Sequence, residues 1–175
     1  MLEKMKKSDF PIVYNIMEQS FPRDECRPYD EQPALMNLPE YQIYIARDAV
    51  TTAIKAFLAI WDFEEFVFIE HFAVAPEFRN TGVGLKMLGE IVARFAKPIC
   101  LEVEPPEDPL TSRRIAFYQR NGFFLNDYPY MQPPIAEGRN AIPLMIMTYG
   151  STVSEAEFET IKRVLYTRVY HTDAE

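Results

Sequence analysis

The chain has 175 residues, of which 48% are hydrophobic and 14% aromatic, and it carries a net charge of −8 at pH 7. That length suits a single domain over residues 1–175 with a real core, and the composition excludes a disordered chain. The acidic balance argues against a nucleic-acid surface, no apolar run reaches the roughly 18 to 20 residues of a membrane span, and the basic start of the chain lacks the apolar stretch of a secretory signal. Cys26 and Cys100 have neither metal-like nor redox-like spacing, so a reducing, cytoplasmic setting is expected.

Taken in chain order, residues 1–7 read as a short strand. Ser8 is placed to cap a helix from Asp9 to Ser20, with Pro11 in its first turn. A short helix over Glu31–Met36 precedes three strand-like runs, Tyr41–Arg47, Thr51–Asp62 and Glu65–Val74, joined by links short enough for antiparallel hairpins. Val83–Ala96 is amphipathic, with Val83, Met87, Ile91 and Phe95 on one face, and Lys97-Pro98 stops it. Ile99–Glu104 is a fifth strand, parallel to the fourth if the helix crosses over between them. A stiff proline-rich loop leads to a helix over Leu110–Arg120, ended by Asn121-Gly122. Phe123–Met131 and Ile142–Tyr149 read as the last strands, and Val153–Tyr170 as the last helix. The expected fold is α+β: helices layered on a central twisted sheet.

Between the fourth strand and its following helix lies Arg79-Asn80-Thr81-Gly82-Val83-Gly84. A strand that turns through a small glycine-containing loop into a helix aims unpaired N–H groups and a positive dipole end at one spot, which suits phosphate. The loop is not a Walker A sequence, because no Gly-Lys-Ser/Thr follows. Further along, Ile115-Ala116-Phe117-Tyr118-Gln119-Arg120-Asn121-Gly122-Phe123 places a tyrosine on a helix that ends in Gly-Phe.

These two motifs, in this order, resemble the GNAT superfamily of N-acetyltransferases over roughly residues 40 to 150. The resemblance implies a mixed, mostly antiparallel sheet of six to seven strands, splayed between the fourth and fifth. It implies acetyl-CoA as cosubstrate, with the pyrophosphate on backbone N–H groups of Thr81, Gly82, Val83, Gly84 and Leu85, and with Arg79 and Asn80 also in the cofactor-binding loop. Ala73 and Val74 would hold the pantetheine arm through their backbones. It also implies that Tyr118 donates a proton to the leaving thiolate; read by itself, an aromatic on a helix is usually a core residue. Where many members carry Asn, seven residues before the tyrosine, this chain has Thr111, whose hydroxyl serves the pantetheine or caps the helix. Arg113 and Arg114 could reach a 3′-phosphate or be a solvated face.

Direct transfer needs a base for the acceptor ammonium. Glu102 and Glu70 are each embedded in an apolar strand, where a charge is costly unless it faces a polar cleft or is paired. Glu102, in Leu101-Glu102-Val103, also resembles the glutamate position of ribosomal-protein alanine acetyltransferases. The order of preference is Glu102, Glu70, then Glu104. Strand alternation sends His71 to the face opposite Glu70. No metal site is expected from two isolated histidines.

The acceptor is expected over Phe21–Met36 and Tyr128–Glu137, where Tyr29, Asp30, Glu31, Tyr128, Tyr130 and Glu137 supply rings and carboxylates. An amine-bearing small molecule is the leading acceptor. A peptide N-terminus or protein lysine is the alternative, and a non-catalytic acyl-CoA-binding module the reading from outside enzymes. The C-terminal helix is left to pack on the sheet or on a second copy in a homodimer.

Overall fold

The computed structural model describes residues 2–172, so the N-terminal end of the strand expected over 1–7 lies outside the described residues. The described residues form two compact units, one within residues 2–22 and 28–99, the other within 23–27 and 100–172.

The first unit holds β1 (Glu3–Lys4), α1 (Phe10–Ser20), β2 (Tyr41–Arg47), β3 (Ile54–Asp62), β4 (Val67–Val74) and α2 (Val83–Arg94). The four strands pair in sequence order, each antiparallel to the next. β3 is buried at every residue from Ala56 to Trp61, without the alternation of a half-exposed strand. Both α1 and α2 pack on β3 and β4, so this part of the sheet is covered on both faces. Val13, Ile16 and Met17 of α1 and Met87, Leu88 and Ile91 of α2 supply the cover. Asp48 shapes the β2–β3 turn: its carboxylate accepts from the N–H groups of Val50 and Thr51 and pairs with Lys55.

Several sequence expectations shift here. Ser8 does not cap α1: the helix begins one residue later with Asp9 in the N-cap position, after a 3-10 turn at Lys7–Asp9. The Asp9 carboxylate instead accepts from the Lys6 N–H and pairs with Arg47. The helix expected at Glu31–Met36 is a 3-10 segment, Gln32–Asn37, with Pro33 inside it.

The second unit is built on β5 (Ile99–Val103), α3 (Pro109–Arg120), β6 (Phe123–Asn126), β7 (Met131–Gln132), β8 (Ile142–Pro143), β9 (Met145–Tyr149) and α4 (Glu155–Val164). β9 is antiparallel to both β5 and β6, and β7 pairs with β8 in a separate ribbon. The single strand expected over Phe123–Met131 is therefore two, broken at Asp127-Tyr128-Pro129-Tyr130, where proline cannot donate to a ladder. The run Ile142–Tyr149 splits likewise between β8 and β9. Buried Asn126 ties the unit together: its amide donates to the Ile146 carbonyl and to Thr148 Oγ1, and its oxygen accepts from the Val153 N–H.

α3 and α4 both begin with side-chain capping boxes, at Asp108/Thr111 and Ser154/Glu157. Gly122, at φ +83°, closes α3 in the left-handed conformation that the Asn121-Gly122 pair suggested. The last helix does not run evenly to Tyr170. α4 gives way at Leu165–Val169 to a π-helical turn. Among the described residues no helix is long and apolar enough to cross a membrane.

Candidate active site

In the first unit, β4 carries a bulge. Ala59 pairs with His71 and Ile60 with Ile69, which leaves Glu70 as the extra residue. The bulge overturns the expectation that Glu70 and His71 face opposite ways: His71 Nδ1 lies 3.5 Å from Glu70 Oε2, and both side chains are 2% exposed. The Phe21 ring meets His71 edge-on at 4.9 Å between centroids.

Beyond the bulge, β4 runs through Ala73 and Val74 into a 3-10 turn at Pro76–Phe78 and then the glycine loop. The Val74 carbonyl accepts from Arg79 Nε at 3.3 Å, and Thr81 Oγ1 donates to the Phe78 carbonyl at 2.6 Å. Asn80 at φ +61° and Gly82 at φ +81° are both left-handed, and Gly82 is the residue from which α2 starts. Unlike α3 and α4, α2 has no side-chain cap. The first N–H groups of a helix have no partner within it, so those of Val83, Gly84 and Leu85 remain for an external acceptor.

A cavity of about 260 Å³ adjoins this loop, lined by Thr81, Gly82, Val83, Arg47, Lys55 and Lys86 among others. Arg47 is held by Glu3 and Asp9, and Lys55 by Asp48. Two of its three cations are thus already paired with carboxylates.

In the second unit, Glu102 lies on β5 between buried Leu101 and Val103. Its Oε1 accepts from the Tyr130 hydroxyl, and its Oε2 from the Tyr170 hydroxyl at 2.6 Å. Burial, and then the neighbouring Glu102 charge, push the Tyr130 phenol well above its usual range, so it stays a donor. Cys100 is pushed up by the same two causes, burial first, which leaves it a protonated thiol and a poor nucleophile. Glu104, the third candidate base, is spoken for: Arg114 Nη1 donates to its Oε2 at 2.6 Å. That pair also accounts for Arg114 without a phosphate.

Tyr118 is buried on α3, with its ring against Phe117 and Phe123. Burial pushes its phenol up to about 12, so it holds its proton throughout the neutral range. Thr111 is buried too. Its hydroxyl donates to the Asp108 carbonyl and accepts from the Asp108 N–H, the capping role among the two expected for it. Of the acceptor-side aromatics, Tyr29 packs on Phe10 and Tyr14, Tyr128 donates to the Val153 carbonyl, and Tyr130 alone reaches a candidate base.

The candidates therefore fall into two groups. Glu70, Ala73, Val74 and Arg79–Leu85 belong to the first unit; Glu102, Thr111 and Tyr118 belong to the second. Sequence reading missed His71 as the neighbour of Glu70, and Tyr170 as a partner of Glu102. Neither a bulge nor a π-turn leaves a composition signal.

Comparison with known proteins places the fold. A family model described as "Acetyltransferase (GNAT) domain" matches residues 39–124. A solved structure described as "Putative acetyltransferase from GNAT family from Bacteroides thetaiotaomicron" is 33% identical, covers 99% of each chain and superposes with a TM-score of 0.89. A Bacillus subtilis (strain 168) protein named "Putative acetyltransferase YjbC" is 29% identical over 157 residues, 88% of this chain and 78% of that one. Arabidopsis thaliana NAA60, solved with a bisubstrate analogue, shares the fold at 15% identity and a TM-score of 0.65, over 86% of this chain and 99% of its own. The chain belongs to the GNAT family and is an N-acetyltransferase. Its fold is the family's, a mixed sheet flanked by helices, and the family's cosubstrate is acetyl-CoA.

Proposed function

We propose that this enzyme takes acetyl-CoA and passes the acetyl group directly to a primary amine of a small molecule. The observation that carries the reading is Glu102: a carboxylate on an apolar strand, ringed by phenols and held by two of them. An anion beside aromatic faces favours an ammonium over a neutral or anionic acceptor.

In this reading the backbone N–H groups of Val83, Gly84 and Leu85 take the pyrophosphate, and the backbones of Ala73 and Val74 take the pantetheine. Glu102 accepts a proton from the incoming ammonium. The freed nitrogen lone pair forms the new C–N bond at the thioester carbon, the C–S bond breaks, and the Tyr118 hydroxyl gives its proton to the departing thiolate. The new amide nitrogen gives up its second proton to solvent, solvent returns a proton to Tyr118, and solvent removes the one on Glu102. Glu70 beside His71 is the second carboxylate available for the base. Buried, protonated Cys100 gives no support to an acyl-cysteine route.

The test has two stages. Acetyl-CoA and free coenzyme A are titrated calorimetrically, with micromolar binding expected; no binding of either overturns the cosubstrate assignment. Thiol release is then followed against a panel of small amines and of peptides with free N-termini or lysines. Turnover confined to small amines supports the reading, and turnover confined to peptides replaces it with a protein acetyltransferase.

A further inference from the structure

We infer that Tyr130 and Tyr170 are positioning residues which hold the Glu102 carboxylate and set how readily it takes a proton. This rests on Glu102 being the base proposed above.

Three separate elements meet at this carboxylate. Glu102 is on β5, Tyr130 is in the segment between β6 and β7, and Tyr170 follows the π-turn after α4. The π-turn delivers Tyr170: its N–H donates to the Leu165 carbonyl, five residues back, at 3.1 Å. A wider turn changes the direction in which the next side chain leaves the helix, and such turns recur at functional sites. Arg27, itself buried, donates to the Val169 carbonyl at 3.3 Å and fixes the turn from outside the helix.

The arrangement exceeds what anchoring a helix end requires. One hydrogen bond would anchor Tyr170, yet both carboxylate oxygens receive a phenol proton, one each. The two phenols support the ionised form and fix the plane of the carboxylate. Titratable and charged groups around it include Cys100 on its own strand, Tyr130, Tyr166 and Tyr170, with Arg27 against the π-turn. Tyr166 differs from the other two phenols, because its hydroxyl donates to the Met131 carbonyl at 2.5 Å.

The experiment is the pH profile of kcat/KM for wild type, Glu102→Gln, Tyr130→Phe, Tyr170→Phe and Tyr166→Phe, each checked for folding by circular dichroism. Removing one phenol from Glu102 withdraws a donor to its charged form. The acidic limb is therefore expected to move upward by on the order of one pH unit in Tyr130→Phe and Tyr170→Phe, with the plateau largely kept. Tyr166→Phe should leave the limb in place. If Glu102→Gln is inactive while both limbs stay at the wild-type pH, the inference fails and the base assignment stands. If Glu102→Gln keeps wild-type kcat/KM, the base assignment itself fails. Where a phenylalanine variant misfolds, proton NMR of the wild type decides. Downfield hydroxyl signals from Tyr130 and Tyr170 that vanish in Glu102→Gln support the inference, and their absence from the wild type overturns it.

Discussion

Tyr118 illustrates how one residue can satisfy two demands that a sequence cannot separate. Burial among Phe117 and Phe123 makes it a core aromatic, and the same burial keeps its phenol protonated, as an acid for a thiolate must be. Tyr118→Phe retains the ring and removes only the proton donor. We expect kcat to fall roughly 100-fold with the melting temperature nearly unchanged, measured by steady-state thiol release and thermal melting. An unchanged kcat would return Tyr118 to a purely structural role. Because burial holds the phenol near 12, any alkaline loss of activity below about pH 10 should persist in this variant. Other residue roles were not legible in advance. The Thr111 hydroxyl takes part in the Asp108 capping box, one of the two roles its position allows. The His71 expectation failed because it assumed strict strand alternation, which a bulge breaks.

At the scale of elements, the proposed pyrophosphate site rests on backbone rather than on side chains. α2 begins from a left-handed glycine with no side-chain cap, whereas α3 and α4 each satisfy their first amides with a side chain. Gly84→Glu sets a carboxylate in that first turn. It is expected to abolish coenzyme A binding in a calorimetric titration while leaving the far-ultraviolet dichroism intact; wild-type affinity would remove the loop from the site. The elements themselves were legible where patterning was strong. Tyr41–Arg47 was placed to the residue, and the start of α2 at Val83 and the end of α3 at Arg120 were met. Failures came where hydrogen bonding overrides pattern. Ser8 looked like a cap, but the chain makes a 3-10 turn through it and α1 begins after Asp9. The break within Phe123–Met131 does have a visible sign in the sequence, Pro129, which cannot donate to a ladder.

For the molecule as a whole, the acidic composition sets the pH response. Lys55, and then the turn amides of Thr51 and Val50, hold the Asp48 carboxyl well below its usual 3.8. Glu90 is lowered chiefly by the Leu2 N–H, against the cost of burial. Asp9 is pushed up by burial but more than offset by Arg47 and the Lys6 N–H, so it too is lowered. Carboxyls depressed in the folded state add stability above their unfolded values and lose it as pH falls through the folded ones. The melting temperature should therefore be level near neutrality and fall steeply below about pH 4. Asp48→Asn should melt lower at pH 7 and show a shallower acid fall, as read by scanning calorimetry at several pH values. An unaltered acid slope would mean that Asp48 contributes nothing.

The two cysteines have a practical meaning for the bench. Both are free and buried, and both belong to the second unit, where Cys26 is 4% exposed and Cys100 is 1% exposed. A colorimetric reagent that counts liberated coenzyme A will therefore find almost no background from the native enzyme. The same reagent, added without substrates, becomes a clock: its slow labelling of Cys100 would time the breathing of the structure around Glu102.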